Sequence, residues 1–241
     1  MALRKRTKAF IAIGGTLALF GAGTAQTALA APSNDQRTHQ RAAQTTAAEL
    51  REVDVEVASQ GFPFSLTRYY HWDPQASSSL LGKGWRLSLE ARLLPSSSTV
   101  TLDDADGTNI VFTQQADGSY SAPAGTPYAL TTAGTGYSLT AQDGSTRAFD
   151  ATGRLTGIKN SAGLGLRISY SAAGRITAVT DAEGRRALFS TDSTGRLASV
   201  TLADGRRVTY VYTSQSYLSA VAGVDGTVRT YTYDAQGHLI T

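Results

Sequence analysis

Apolar and polar residues alternate along most of the chain, in short runs separated by glycine-containing pairs. Over 53–57, valines alternate with two acidic residues, and over 62–66 apolar residues alternate with Pro63 and Ser65. A period of two is that of a β-strand with one buried face. We therefore predict an all-β chain. Further strands are expected at 99–102, 109–112 and 137–140, with turns at Asp106-Gly107, Asp117-Gly118 and Asp143-Gly144.

From residue 149 onward the pattern repeats every 21 residues. A Gly-Arg/His-Leu/Ile tripeptide recurs with this period, Ser216 fills its one missing slot, and a second glycine series runs between the copies. Glycine adopts the positive φ that hairpin turns need. Each repeat is therefore predicted to be one β-hairpin. The turn glycines are Gly153, Gly163, Gly174, Gly184, Gly195, Gly205, Gly226 and Gly237.

One face of these hairpins is predicted to be buried. Alternate residues of one strand are mostly apolar or aromatic, including Tyr170, Tyr210, Tyr212, Tyr231 and Tyr233. The other strand carries a column that starts at Leu155, and a second column three residues later that starts at Ile158. A spacing of three places two residues on opposite faces of a regular strand. Either both faces are partly covered or a β-bulge intervenes.

Stacked hairpins are predicted to form one continuous antiparallel sheet, because a lone hairpin is only marginally stable in water. The sequence reaches Thr241 just after a turn, in mid-repeat. We expect an unpaired strand edge there. The chain therefore reads as unfinished, as a truncated reading frame or part of a longer protein would.

The first fifty residues read as an export signal and a linker. Residues 1–8 are basic, an apolar run follows, and small residues at Ala28 and Ala30 fit a cleavage site before Ala31. An uncleaved membrane anchor is the alternative, but the run is short and contains four glycines. Residues 31–50 are predicted to be a flexible linker whose Ala-rich end could form a helical turn. A secreted protein without a membrane segment after cleavage is expected.

Composition narrows the function classes. The chain has no cysteine, which excludes disulfides and thiolate chemistry. Four of its 22 basic residues lie before residue 9, while none of its 19 acidic residues precedes Asp35. The remainder is close to neutral, so we expect no basic stripe and no nucleic-acid partner.

Several segments resemble the Rhs/YD-repeat family. Arg68-Tyr69-Tyr70 and Leu81-Gly82-Lys83-Gly84-Trp85 resemble motifs of the domain of unknown function that precedes YD repeats, and 149–155 and 233–239 resemble the repeat itself. The resemblance assigns 51–148 to that β domain and 149–241 to repeats. It implies a curved, spiralling β-shell, as in polymorphic toxins, insecticidal toxin complexes and animal teneurins, where bacterial shells enclose a C-terminal toxin. The implied partners are downstream shell or toxin segments.

No catalytic, cofactor or metal site is predicted. His71-Trp72-Asp73-Pro74 reads as a turn, and His238 as an exposed turn residue. The acidic segment 103–107 lacks the spacing of a calcium loop and reads as a turn with solvated carboxylates. We therefore expect a non-enzymatic structural module. The alternative is an adhesion module that binds surface carbohydrate through an exposed tyrosine-rich sheet.

Overall fold

The computed structural model describes residues 50–59, 61–73 and 79–240, and over these residues the chain is all-β. Its eighteen described strands are antiparallel, with one 3-10 turn at Ser88–Glu90. They form sheets of three, four and eleven strands. The predicted all-β class and antiparallel pairing are confirmed. The signal segment, with Ala28, Ala30 and Ala31, and nearly all of the linker lie outside the described residues.

Two small sheets precede the large one. The first sheet has the order β1-β2-β3 and the second the order β4-β5-β6-β7. The strands are β1 (Leu50–Val57), β2 (Phe64–Tyr70), β3 (Trp85–Leu87), β4 (Arg92–Pro95), β5 (Thr99–Asp103), β6 (Asn109–Gln114) and β7 (Tyr120–Ser121). Leu50 was expected in the linker, but it pairs with Tyr70 as the first residue of β1.

The third sheet, called here the repeat sheet, contains eleven consecutive strands. It begins before residue 149, because β8 to β10 pair in sequence with the strands of the repeats. Its strands are β8 (Tyr128–Ala133), β9 (Gly136–Ala141), β10 (Thr146–Phe149), β11 (Leu155–Lys159), β12 (Gly165–Tyr170), β13 (Ile176–Thr180), β14 (Arg186–Thr191), β15 (Leu197–Thr201), β16 (Arg207–Tyr212), β17 (Leu218–Ala222) and β18 (Val228–Thr230).

Several turns of this sheet share one design, with an aspartate or asparagine as the first residue. In the first, Asp150 Oδ1 accepts hydrogen bonds from the backbone N–H groups of Thr152 and Arg154, and Arg154 Nε donates to Oδ2. Gly153, which precedes Arg154, has a positive φ, and so does the glycine at each equivalent turn that contains one. The eight turn glycines have φ values between +74° and +91°. Ser216 fills the missing slot with φ +69°, a conformation that costs a side-chain-bearing residue about 1–2 kcal/mol.

A β-bulge in each repeat explains the spacing of three between the two apolar columns. Phe149 pairs with Leu155 while Ala148 pairs with Gly157, so Thr156 is one extra residue on its strand. Because of this extra residue, the side chains of both apolar columns point toward the buried face. The same shift recurs at Thr177, Ala198 and Ser219. Of the two alternatives for this strand, the bulge is therefore correct.

The buried core lies on one face of the repeat sheet, where β1 to β3 and β4 to β6 pack against it. Trp85, which follows the segment Gly82-Lys83-Gly84, has no exposed surface. Leu66, Phe112, Leu155 and Leu218 are buried in the same continuous cluster. Across the described residues, no helix is long and apolar enough to cross a membrane.

Candidate functional site

A buried ion pair lies where the first sheet meets the repeat sheet. Arg68 Nε donates to both carboxylate oxygens of Asp54, at 2.8 and 2.7 Å, and neither side chain is exposed. Tyr210 donates to the same carboxylate at 2.9 Å, and Arg68 Nη2 donates to the hydroxyl of Tyr231. Two residues of the first sheet are thus bonded to two repeat tyrosines. We call Asp54, Arg68, Tyr210 and Tyr231 the polar cluster.

Burial governs the electrostatics of the polar cluster. It raises the pKa of Asp54, although the adjacent guanidinium opposes that shift. Burial would lower the pKa of Arg68, but the contacts with Asp54 and Tyr231 outweigh it and raise that pKa. Burial also raises the pKa of Tyr210 well above its ordinary value. Arg68 therefore remains a cation, and its loss would leave Asp54 without the charge that balances it.

Aromatic residues extend this junction toward the last described turn. The Arg68 guanidinium lies 4.6 Å from the Trp85 ring centroid, and Trp85 Nε1 donates to the Tyr233 hydroxyl at 2.9 Å. The Tyr70 hydroxyl accepts from the backbone N–H of Leu239 at 2.8 Å. The motifs that suggested the family thus place three side chains, Arg68, Tyr70 and Trp85, against the repeats.

The tyrosines of the repeats are used inside the protein. Tyr170, Tyr212 and Tyr233 each donate to a backbone carbonyl fifteen residues earlier, at 2.6 to 2.7 Å, beside the bulge of that repeat. Burial raises the pKa of Tyr170 to about 12. Tyr210 and Tyr231 are only 5% and 7% exposed. The tyrosine rings therefore lie on the face that was predicted to be buried, and these residues do not form the exposed tyrosine-rich sheet of the adhesion alternative.

Backbone hydrogen bonds also join the N-terminal region to the repeats at specific turns. Leu197 donates its N–H to the carbonyl of Leu80 at 2.7 Å, and Lys83 donates to the carbonyl of Ser216 at 3.0 Å. Leu93 donates to the carbonyl of Gly153 at 2.8 Å. Leu197 is the first residue of β15, whereas Ser216 and Gly153 lie in turns. The three contacts belong to three different repeats, so the N-terminal region spans several repeats.

A cleft of about 720 Å³ opens between the three sheets. Its wall combines apolar residues with charged ones, and includes His71, Glu90, Arg92 and Tyr170. Burial raises the pKa of Glu90, although its carboxylate accepts from the N–H groups of Leu80 and Leu87. These hydrogen bonds hold the 3-10 turn against the loop at residue 80, and so give Glu90 a structural role.

The sequence-selected histidines are not brought together. His71 Nδ1 is buried without a hydrogen-bond partner, while the ring of Trp72 packs 5.5 Å edge-on from His238. His238 is an exposed turn residue whose Nδ1 lies 2.8 Å from Asp234. Within the described ranges, no group of three His, Asp or Glu side chains could hold a metal ion.

The acidic segment 103–107 forms the expected turn, but its carboxylates are not solvated. Asp103 bridges Arg86 and Arg92, at 2.6 and 2.8 Å. Asp104 is 8% exposed and pairs with Arg147 of β10 at 2.5 Å. The prediction of solvated carboxylates was wrong, because guanidinium groups distant in sequence fold onto this turn. Asp103 thus joins the second sheet to Arg86 of the first sheet, and Asp104 joins it to the repeat sheet.

Sequence reasoning missed Asp54, Arg68 and Glu90 as a group that stabilises the junction. One signal was available for Arg68, because it occupies an inward position in the alternation Phe64, Leu66, Arg68, Tyr70. A charged residue at an inward strand position requires a buried partner. The partner itself could not be read from the pattern.

Comparison with known families agrees with this architecture. The model described as RHS Repeat matches residues 149–186 and 192–227, and the model described as Domain of unknown function (DUF6531) matches residues 48–112. The chain belongs to the Rhs/YD-repeat family. The polar cluster therefore joins a DUF6531 domain to Rhs repeats. None of the curated proteins compared with the chain matched it.

Solved structures similar to this Rhs chain include two toxin-complex assemblies. One is a crystal structure of TcdB2-TccC3-Cdc42, 14% identical with a TM-score of 0.33 over 73% of this chain. Another is the Photorhabdus luminescens Tc holotoxin pore with a mutated TccC3, 14% identical with a TM-score of 0.30 over 79% of this chain. This chain spans 12% and 14% of the lengths of those chains.

Proposed function

We propose that this chain is a secreted, non-enzymatic wall segment of an Rhs shell that encloses or presents a polypeptide encoded downstream. The observation that carries the proposal is the joining of the Rhs hairpins into one eleven-stranded sheet. One face of that sheet is fastened to the DUF6531 region through the polar cluster and the contacts at Leu80, Lys83 and Leu93. Such an arrangement supports a rigid wall.

The chemistry of the described residues supports a structural role. The carboxylates of Asp54 and Asp104 are committed to guanidinium groups, and that of Glu90 to backbone N–H groups. Tyrosine hydroxyls are committed to backbone carbonyls. Groups held in this way stabilise a wall and are poorly placed to bind a reacting substrate.

Enclosure is tested on the full reading frame that contains this chain. We expect the polypeptide that follows the repeats to resist a nonspecific protease while the repeats remain folded. A comparison variant carries Arg68→Met. This substitution should loosen the junction between the first sheet and the repeat sheet and make the enclosed segment cleavable. Cleavage of that segment in the parent protein, at the rate of the same segment expressed alone, would refute enclosure.

Secretion is tested separately on the full chain. We expect export from a bacterial host and a mature N-terminus at Ala31, read by mass spectrometry. Ala28→Lys and Ala30→Lys should each block processing, because signal cleavage needs small residues at these positions. Gln26→Lys adds the same charge outside both positions and serves as the control. An unprocessed cytoplasmic wild-type protein would contradict this part of the proposal.

A further inference from the structure

The repeat sheet separates its charges in a way that the sequence order hides. No strand from β8 to β18 contains an acidic residue, because all aspartates and glutamates between 128 and 230 lie in turns. The strands contain six basic residues. Two of them point toward the N-terminal region and are paired, Arg147 with Asp104 and Arg229 with Glu52.

The other four strand cations lie on the opposite face. In each strand the residue next to the cation points toward the core, and the cation itself is exposed. In the described part of the chain none of the four has an acidic partner, and only Arg207 makes a side-chain hydrogen bond, to Thr201. We call this set the basic stripe. It consists of Lys159, Arg167, Arg186 and Arg207.

Strand register aligns the basic stripe across the sheet. Arg167 and Arg186 both pair with Thr180, so they lie two strands apart, at roughly 10 Å. Arg207 pairs with Thr201, which also pairs with Leu188, two residues beyond Arg186. The cations thus follow a line across the strands, with threonine hydroxyls between them. The expectation of no basic stripe was therefore wrong, since strand pairing collects cations that the sequence disperses.

We propose that the basic stripe binds a linear anionic polysaccharide that carries sulfate or phosphate groups. A line of unpaired cations complements a linear polyanion, and guanidinium groups bind such oxyanions in a bidentate manner. Threonine hydroxyls between the cations suit sugar hydroxyls. The inward rings leave this face without aromatic platforms for nucleobases. Leu188 and Val211 are its large exposed apolar residues in β12 to β17, too few to insert into a bilayer.

The test measures binding of the full chain to heparin, with dextran as the neutral polymer. Four contacts at roughly −0.7 each predict a slope of about −3 for log K against log salt, hence ~50-fold weaker binding at 200 than at 50 mM salt. The triple variant R167Q/R186Q/R207Q should bind heparin at least about tenfold more weakly at 50 mM salt. Its thermal unfolding midpoint should match the wild type.

The control variant R92Q/R154Q/R206Q removes the same charge from exposed arginines that already pair with aspartates. It should retain heparin binding, and it also accounts for any contribution from the basic residues before residue 9. Equal weakening by both triple variants, or no heparin binding by the wild type, would overturn the proposal. So would tighter, stripe-dependent binding to single-stranded DNA or to phosphatidylglycerol vesicles. Enclosure of a downstream segment does not depend on this result.

Discussion

The region before residue 122 and the repeat sheet are both antiparallel β-structure, but they are stabilised differently. The repeat sheet uses a few interactions on its 21-residue period, namely the bulge in each copy and, in several copies, the turn carboxylate and the tyrosine hydroxyl on a bulge carbonyl. The N-terminal region uses interactions that occur once, such as Arg68 with Asp54. A repeated interaction can be lost in one copy, as Thr191 in the tyrosine column shows, whereas a single interaction has no second copy.

The largest expected effect is at the single-copy ion pair. Arg68→Met should lower the free energy of unfolding by about 3–5 kcal/mol, because it leaves a buried carboxylate without its cation. Urea unfolding followed by circular dichroism measures this loss. The double variant R68M/D54L should recover much of it, since paired apolar residues avoid the cost of desolvation. A single variant within about 1 kcal/mol of the wild type would contradict the comparison between the two regions.

Two turn glycines test how much contact with the N-terminal region adds to the cost of placing alanine in a turn. Gly153 and Gly184 have φ values of +82° and +81°, so alanine is strained equally at both. A Cβ at Gly153 would overlap the backbone carbonyl of Leu93, whereas a Cβ at Gly184 meets open space.

We expect Gly184→Ala to cost about 1–2 kcal/mol of unfolding free energy, and Gly153→Ala to cost about 1–3 kcal/mol more. Chemical denaturation of the two variants, side by side, measures the difference. Equal losses would mean that the contact with Leu93 contributes nothing beyond the turn.

Equivalent positions of the tyrosine column allow one substitution that should lower stability and one that should raise it. Tyr212→Phe removes the hydroxyl that bonds to Leu197, at an expected cost of about 1 kcal/mol. Thr191→Tyr supplies the missing hydroxyl opposite Ile176, and should stabilise the protein by about 0.5–1 kcal/mol. Thermal and urea unfolding measure both changes. Destabilisation by Thr191→Tyr would show that this repeat has no room for the ring.

The smallest expected effect is the pH dependence of one turn. Burial opposes ionisation of Asp192, but hydrogen bonds from Thr194 and Arg196 outweigh it and lower its pKa to about 2. A carboxyl whose pKa is lowered by folding stabilises the protein above its ordinary pKa of 3.8, and loses that contribution as the pH falls through about 2.

Asp192→Asn should preserve the turn, because Asn160 occupies the same place in another turn and accepts the N–H groups of Ala162 and Leu164. The variant should be less stable than the wild type at pH 7, and the gap should narrow toward pH 2. Urea midpoints at both pH values measure it. A gap that stays constant with pH would contradict the ionic contribution.

Periodicity predicted the hairpins, their turns and their buried columns, because these depend on residues within one repeat. It did not decide between a bulge and two covered faces, since that choice depends on pairing with the neighbouring strand. The strands β3, β4, β7, β8 and β10 were not predicted from the sequence, because they are short or lack a clean alternation.

The sequence by itself determined the local elements, because glycine at a turn and alternation in a strand act over a few residues. Only the tertiary structure decided which distant groups meet. Asp54 and Arg68 pair with each other and bond to Tyr210 and Tyr231 because packing of two sheets brings them together. The cations of separate repeats align on the outer face for a related reason. Alternation within a strand predicts its two faces, but strand register decides which residues of different strands lie side by side.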